Sequence, residues 1–307
     1  MLAALLAVVL IFGLAVGSES LSFFALTDQQ KAILFDIRMP RVFLGACVGA
    51  SLAAAGAGLQ ALLRNPLAEP YLLGVSNGAA LGTMLAFVFF GQFIAARSVF
   101  AFAGAAIASA VVFQMAKSRA GMNVERLVLS GVIVTTFLSS IIVLLTSFLD
   151  AARLRSFTFW LLGDLSQATY QGFYLTLFAA IVGTLAITSQ AKALNLMMIG
   201  ERDASDFGVE VSRVRLIVFA AASGLVGTSV AASGSVGYVG LIVPHLLRLA
   251  IGSDNRLIVP MSAIAGAIFV VLADTVARTA IAPRELPVGA ITALIGAPMF
   301  IYLLRRN

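Results

Sequence analysis

Charged residues are scarce in this chain of 307 residues, where Asp, Glu, Lys and Arg together make up 11%. Hydrophobic residues make up 61%, which lies far outside the composition of soluble globular proteins. One cysteine and one histidine exclude an internal disulfide and leave too few soft ligands for a buried transition-metal site. The net charge of +6 comes from scattered basic residues, which argues against nucleic-acid binding. These shortages predict an all-α polytopic membrane protein.

Long apolar runs take the place of the missing charges. A helix of roughly 20 apolar residues crosses the core of a bilayer. The sequence predicts about ten such helices, and we expect residues 1–307 to form a single transmembrane domain. The predicted spans are 2–17, 42–63, 72–90, 97–115, 127–148, 170–188, 214–232, 236–251, 257–277 and 287–304. The first lacks the basic start and cleavage site of a signal peptide, so we interpret it as a span.

Proline and polar residues interrupt the apolar pattern at two places. Gly240–Arg248 holds Pro244 and His245 inside an apolar segment. Arg64–Pro70 likewise holds proline and polar residues, at the point where the second predicted span ends. Polar backbone and charge are costly in lipid, so such breaks are typical of cavities and protein interfaces. Because Pro244 blocks a helical hydrogen bond, we expect His245 to be structural and to donate to a freed carbonyl. The paired breaks predict a transport path.

The pattern of spans is doubled along the chain. Spans two to five and spans seven to ten have similar lengths and similar Gly/Pro interruptions. One further span separates the two sets, so they run in opposite directions and predict an inverted repeat. Glycines four residues apart, as at Gly45 and Gly49 or Gly78 and Gly82, predict close packing between helices.

The loops indicate how the chain is oriented. With both termini in the cytoplasm, most lysines and arginines fall in inner loops, as the positive-inside rule requires. Ser18–Pro40 and Asp150–Leu165 then lie outside, and Gln190–Arg215 lies inside. A capping-box pattern predicts a helix from Asp28 in the first of these segments. In the inner segment we expect one or two short helices that are closed by Gly208.

Short motifs along nearly the whole chain follow the order found in one transporter family. The sequence resembles FecCD-type permeases, the membrane subunits of type II ATP-binding-cassette (ABC) importers for iron-siderophores, haem and cobalamin. The motifs are Arg38-Met-Pro-Arg41, Gln60, Arg64-Asn-Pro-Leu-Ala-Glu-Pro70, Leu73-Gly-Val-Ser-Asn-Gly-Ala79, Leu194-Asn-Leu, Gly200-Glu201, Gly240-Leu-Ile-Val-Pro-His-Leu-Leu-Arg248, Ala273-Asp274 with Arg278, Glu285-Leu-Pro-Val-Gly289 and Gly296-Ala-Pro298.

The resemblance implies a docking role for three arginines on the outer side. Residues that match Arg38, Arg41 and Arg278 face carboxylates of a substrate-binding protein in that family. Arginine suits this role because its planar guanidinium binds a carboxylate through two parallel hydrogen bonds. The alternative is interfacial anchoring, or pairing within the chain to Asp36 and Asp274.

The resemblance also implies a gate at the cytoplasmic end of the path. Asn65, Pro66 and Leu67 form one gate element, and Val124 and Glu125 at the inner end of span five form the other. Pro66 removes a backbone donor and biases the preceding residue away from helix. The alternative for the first element is a plain turn between spans two and three.

A third set of residues is implied to couple the chain to an ATPase. A short surface helix between spans six and seven fits a cleft on the ATPase in that family and transmits its rigid-body motion. The alternative is a solvated loop. The coupling residues are Gly200, Glu201, Arg202, Asp203, Ala204, Ser205, Asp206, Phe207 and Gly208.

The resemblance sets the expected partners and cofactors. We expect a second copy of the chain, a cytoplasmic ABC ATPase dimer, a periplasmic or lipid-anchored binding protein and membrane lipid. The chain itself has no phosphate-binding loop, because Lys31, Lys117 and Lys192 each lack a preceding glycine. We therefore expect no catalytic residue, metal or cofactor on this chain, with ATP and Mg²⁺ bound by the ATPase.

The sequence leaves three classes of function to compare. The first is the permease of an ABC importer in the bacterial inner membrane, with ferric siderophore as the first expected cargo and cobalamin or haem as alternatives. The second is a secondary transporter driven by an ion gradient, which needs intramembrane acids that this chain almost lacks. The third is an intramembrane enzyme, for which the chain offers neither a Ser/His dyad nor a His-Glu-x-x-His helix.

Overall fold

The computed structural model describes residues 1–17, 27–90, 94–118 and 121–306, so the start of the predicted outer segment, residues 18–26, lies outside it. The described chain is mainly α-helical, with one π-helical turn, one short 3-10 helix and a two-stranded hairpin of Lys117–Ser118 and Gly121–Met122. In chain order its helices are α1 (Leu2–Ala15), α2 (Asp28–Ala32), α3 (Met39–Leu63), α4 (Val75–Phe90), α5 (Ile94–Ala116), α6 (Val124–Thr146), α7 (Ala151–Leu161), α8 (Tyr170–Ser189), α9 (Ala191–Ile199), α10 (Glu201–Asp206), α11 (Val211–Ser233), α12 (Val239–Ile251), α13 (Asn255–Thr279) and α14 (Val288–Arg306).

Ten of these helices coincide with the ten predicted spans, and each predicted end lies within three residues of the observed one. Six are apolar and long enough to cross a membrane alone, and four are shorter apolar helices. Helix α4 follows the predicted break at Arg64–Pro70. The predicted break at Gly240–Arg248 lies inside α12, which continues through Pro244, and the non-helical backbone instead precedes it at residues 234–238. The prediction of an all-α polytopic membrane protein is confirmed.

The segments between the spans fold largely as predicted. Thr27 caps α2 through a complete capping box with Gln30, and a π-helical turn, Ile33–Arg38, joins α2 to α3. The inner segment forms α9 and α10, which end at Gly208 with a φ of +82°. The outer segment 150–165 was expected only as a connection, but its residues form α7, whose N-terminus is capped by Asp150. A carboxylate cap before a run without proline is the sequence signal for this helix.

Helix α3 lies at the centre of the described molecule, and nearly all of its residues from Val42 to Leu62 are buried. Small residues allow its neighbours to approach closely. A Cβ added at Gly49 would lie 2.1 Å from the carbonyl oxygen of Gly266 on α13. The same holds between α4 and α5, where a Cβ added at Gly78 would lie 2.4 Å from Gly104 O. The predicted packing through glycines is confirmed.

The pairing of helices agrees with the predicted inverted repeat. Helix α3 packs on α13, and α11 packs on α5. These two pairs are equivalent if α3–α6 correspond in order to α11–α14. The repeat therefore brings the two interrupted connections, between α3 and α4 and between α11 and α12, into related positions.

Candidate functional site

The two interrupted connections meet inside the helix bundle. Tyr71 lies in the short 3-10 helix before α4, and its hydroxyl donates to Val236 O at 3.0 Å and accepts from Val236 N at 2.9 Å. The backbone N–H of Tyr238 donates to Glu69 Oε1 at 3.1 Å. These bonds satisfy non-helical backbone, which is the condition for such backbone at membrane depth. The connection that holds the first predicted break therefore contacts the residues just before the second one.

The carbonyls freed by the proline in α12 are satisfied by a residue of α3. Pro244 has no N–H, which leaves the Gly240 carbonyl without a helical donor. Gln60 Nε2 donates to Gly240 O at 3.3 Å and to Leu241 O at 3.0 Å. The expectation that His245 supplies this donor was wrong, because the buried amide of Gln60 reaches the carbonyls from the neighbouring helix.

The turn at residues 65–67 lies on the surface at the inner end of α3. Arg64 ends α3 with a φ of +49°, an uncommon conformation for a residue with a side chain. Asn65 Oδ1 then accepts from the N–H of Leu67 at 2.9 Å, so the side chain closes the turn. Asn65, Pro66 and Leu67 are all exposed. This geometry is compatible with a gate element and with a plain turn.

The second predicted gate element lies at the start of α6. Asn123 caps this helix by accepting from Arg126 N at 2.9 Å. Val124 is half-buried and Glu125 is exposed. The residue before the cap, Met122, belongs to the hairpin, and its carbonyl accepts a hydrogen bond from Arg215 of α11 at 2.8 Å.

The predicted coupling segment presents most of its residues to the solvent. Ala204 is fully buried and fixes α10 against the rest of the chain. Phe207 is 76% exposed, which is unusual for a phenylalanine outside the lipid-facing helices. The remaining members vary from half-buried to exposed. Beside α10, a cleft of about 580 Å³ is lined by Glu201, Ser205, Glu210, Val211, Ser212, Arg213 and Arg215.

One carboxylate of the coupling segment joins two distant parts of the chain. Glu201 Oε1 accepts from Arg64 Nη2 at 2.8 Å and also from Arg215 Nη2. Arg64 is adjacent to the turn at residues 65–67, and Arg215 also holds Met122. Sequence reasoning placed Glu201 in the coupling segment but did not predict its partners, because Arg64 lies 137 positions away along the chain.

A second polar group attaches the same inner segment to α12 and α13. Asn195 of α9 donates to Asp254 Oδ1 at 2.7 Å and accepts from Asn255 N at 2.9 Å. Arg248 donates to Asn255 Oδ1 at 3.0 Å and to Ala57 O of α3 at 3.1 Å. The hydrogen bond from Asn195, together with one from the backbone of Arg256, holds the pKa of Asp254 below its ordinary value.

The three outer arginines are buried within the chain. Arg41 binds Asp274 at 2.9 Å and Glu285 at 2.7 Å, and the side chains of Arg41 and Asp274 are 7% and 3% exposed. Arg278 lies 3.7 Å from Asp274 and donates to Gly13 O.

Arg38 completes this outer cluster by donating to the backbone carbonyls of Leu14 and Ala15, at 3.0 Å and 2.9 Å. The arginines thus brace the end of α1 against α3 and α13. Asp36 is exposed. Pairing with Asp274, the alternative to docking, is present in the structure, and the docking role stays a prediction.

Comparison with known proteins identifies relatives along the full chain. A family profile described as the FecCD transport family matches residues 5–306. The cobalamin import system permease BtuC of Halobacterium salinarum is 42% identical over 285 residues, which are 92% of this chain and 76% of that protein. The hemin transport system permease HmuU of Yersinia pestis is 39% identical over 318 residues, covering 99% of this chain and 94% of that protein.

A solved structure shares the whole fold. It is described as an inward-facing conformation of a metal-chelate type ABC transporter. Its TM-score against this chain is 0.91 at 33% sequence identity, and the match covers 100% of this chain and 98% of the other. The arrangement of spans, interrupted connections and inner helices is therefore that of a transporter subunit.

Proposed function

Because the chain belongs to the FecCD transport family, we propose that it is the membrane-spanning permease subunit of a type II ABC importer and provides the pathway for a metal chelate. The full-length likeness to a metal-chelate transporter carries this proposal. The meeting of two interrupted connections inside the bundle supports it, because non-helical backbone of this kind lines substrate paths in transporters. The chain has no phosphate-binding loop, so the ATP is hydrolysed on another subunit.

The partner on the inner side is an ABC ATPase dimer that binds the coupling segment. The exposed ring of Phe207 offers an apolar anchor, and the charged residues around it offer a polar rim. In the proposed assembly two copies of the chain enclose one path, both termini are cytoplasmic, and the residues at 65–67 and 124–125 form its inner gate. The chain contributes no metal or cofactor of its own to this function.

The partner on the outer side is a substrate-binding protein. Because Arg38, Arg41 and Arg278 are buried, a carboxylate of that protein would have to reach Arg41 by displacing Glu285, whose side chain is 40% exposed. We therefore expect Glu285→Gln to strengthen docking and Arg41→Gln to weaken it. Both changes in affinity for the substrate-binding protein should grow at low salt, because exposed charges are less screened there. If both variants kept the parental affinity for the substrate-binding protein at low salt, the docking role would be contradicted.

The cargo is a chelate whose metal is already bound. Ferric siderophore is the first to test, followed by cobalamin and haem. The described spans offer Asp274 as a buried acid, and it is occupied by Arg41 and Arg278. A coupling-ion site of free intramembrane carboxylates, which the gradient-driven alternative needs, is therefore not supported by the arrangement of these residues.

The proposal is tested by purifying the tagged protein from its native host in mild detergent and identifying everything retained with it. We expect an ATPase with a phosphate-binding loop to be recovered. Deletion of residues 201–207 should abolish that recovery, while a tagged control with Glu210→Gln should retain it. Recovery of the chain alone, together with transport that needs no ATP, would contradict the proposal and favour a gradient-driven transporter.

A further inference from the structure

Glu201 is the only residue of α10 that has an ion pair among the described residues, and it has two. The other acids of the segment, Asp203 and Asp206, are exposed. The side chain of Glu201 is 36% exposed, that of Arg64 is 44% exposed and that of Arg215 is 10% exposed. The carboxylate thus lies at the boundary between the solvent and the helix bundle, and both of its partners lie on other elements.

Each partner of Glu201 is connected to one predicted gate element. Arg64 is the residue that turns the chain out of α3, and Asn65 follows it directly. Arg215 uses its second terminal nitrogen to bind Met122 O, two residues before Val124. Glu201 is therefore connected to each predicted gate element through one or two hydrogen bonds.

The two ion pairs of Glu201, with Arg64 and with Arg215, form what we call the joint. Their chemistry suits the transmission of movement between parts of the chain. Hydrogen bonds between ionised groups are short and directional, and a guanidinium holds two acceptors in a fixed fork. Arg215 Nε has no hydrogen-bond partner among the described residues, so the loss of Glu201 would leave a buried guanidinium with Met122 O as its remaining acceptor. The joint is also accessible enough to rearrange, because Arg64 and Glu201 are both partly solvated.

We propose that Glu201 is the positioning residue that transmits movement of the coupling helix to both inner gate elements, through Arg64 and through Arg215. This inference rests on the proposed ABC importer function and names the internal route by which the ATPase would act. Glu201 does this within the chain rather than by touching the ATPase. Its removal should therefore uncouple the gates without releasing the ATPase.

The test uses the complete complex with its own ATPase, reconstituted in liposomes. Leu67→Cys in a Cys47→Ala background gives the chain a single thiol, which lies within the first predicted gate element. The rate at which a maleimide labels this thiol is measured without nucleotide and with ATP plus vanadate. We expect a nucleotide-dependent change in the parent that Glu201→Gln reduces by about fivefold or more, the lower range of coupling between sites.

Matched variants separate the joint from general effects of charge. Glu210→Gln removes a nearby cytoplasmic carboxylate, which pairs at 3.8 Å with the exposed Arg213, and should keep the parental labelling response. Arg64→Gln changes a side chain that is 44% exposed, and should lose part of the labelling response. The double variant of Arg64 and Glu201 should be no worse than Glu201→Gln alone, because both changes break the same joint.

The outcomes distinguish this inference from the proposed function. Absence of any ATPase from the parent complex would overturn the proposed function and the joint with it. The joint alone would be overturned if the parent showed the nucleotide-dependent change in labelling and Glu201→Gln kept both the ATPase and the full change. The joint would also be overturned if Glu201→Gln released the ATPase, since Glu201 would then act by direct contact, or if the two substitutions were additive.

Discussion

The chain carries an ionic cluster near each end of α3, one on the predicted outer side and one on the predicted inner side, and the two are built in opposite ways. The outer cluster surrounds the buried Asp274 with Arg41 and Arg278, whose side chains are between 3% and 7% exposed. The inner cluster surrounds the half-exposed Glu201 with Arg64 and Arg215. The first joins helices that pack directly on each other, whereas the second joins a short surface helix to the end of α3 and to α11.

The difference indicates two roles. The cluster of Arg41, Arg278 and Asp274 acts as a brace that fixes the arrangement of helices, whereas the joint connects parts of the chain that move. Buried charges are stable only while every partner is present, so the outer cluster holds α1, α3 and α13 in one arrangement. The pair of Glu201 with Arg64 is partly solvated, and pairs of this kind contribute little to stability. Such pairs suit a place where parts of the chain must move relative to each other.

The largest effect is expected at the brace. Asp274→Asn would leave the guanidiniums of Arg41 and Arg278 buried without their shared carboxylate. Breaking a buried pair in this way costs about 3–5 kcal/mol of folding free energy. We expect a large fall in the thermal unfolding midpoint in detergent. Glu285→Gln, which changes the exposed partner of Arg41, should lower it much less, and equal falls would contradict the brace.

A small effect on stability is expected at the joint. Arg64→Ala removes an ion pair whose two side chains are both more than one third exposed, so we expect a loss of about 0.2–1 kcal/mol. That loss should shrink as salt is raised, whereas the loss from Asp274→Asn should not, because buried pairs are screened less. Thermal unfolding at low and high salt measures both. If the loss of stability on Arg64→Ala did not depend on salt, the ion pair between Arg64 and Glu201 would not be a solvent-exposed one.

The smallest effect concerns the polar attachment of α9 to α13. Because hydrogen bonds hold the pKa of Asp254 below its ordinary value, its contribution to stability is present above that ordinary value and is lost as the pH falls through the folded-state pKa. Asn195→Ala removes the largest of these bonds. Between about pH 6 and about pH 3, the unfolding midpoint of the parent should fall slightly more than that of the variant.

A control variant isolates the titration of this carboxyl. Asp254→Asn cannot titrate, so adding Asn195→Ala to it should not alter the pH dependence further. An identical pH dependence of the parent and of Asn195→Ala would mean that the hydrogen bond from Asn195 does not favour the ionised carboxylate.

Much of the fold could be predicted from the sequence because the apolar periods are long. Every span was placed within three residues, and the short helices of the inner segment were anticipated from Gly208 and the polar run before it. Helix α7 was missed because its residues are too polar to span and were interpreted only as a connection. A local cap, Asp150, was the signal that could have identified it.

The candidate site could be predicted only in part, because its contacts join residues far apart in sequence. Motif resemblance marked Arg41, Asp274 and Glu201, and pairing of the outer arginines with Asp274 was one of the alternatives left open. The partners of Glu201 were not predicted, since Arg64 lies 137 positions away. The proline in α12 correctly indicated a freed carbonyl. Its donor, Gln60, comes from another helix, and no pattern along α12 could identify it.

Transport by the reconstituted complex tests the central claim most directly. Liposomes that hold the chain with its co-purified ATPase and binding protein are supplied with ferric siderophore, cobalamin or haem, either with ATP on the ATPase side or with only an ion gradient. The account predicts that one of these chelates accumulates with ATP and that none accumulates with the gradient alone. Accumulation driven by the gradient, without ATP and without the ATPase, would contradict it.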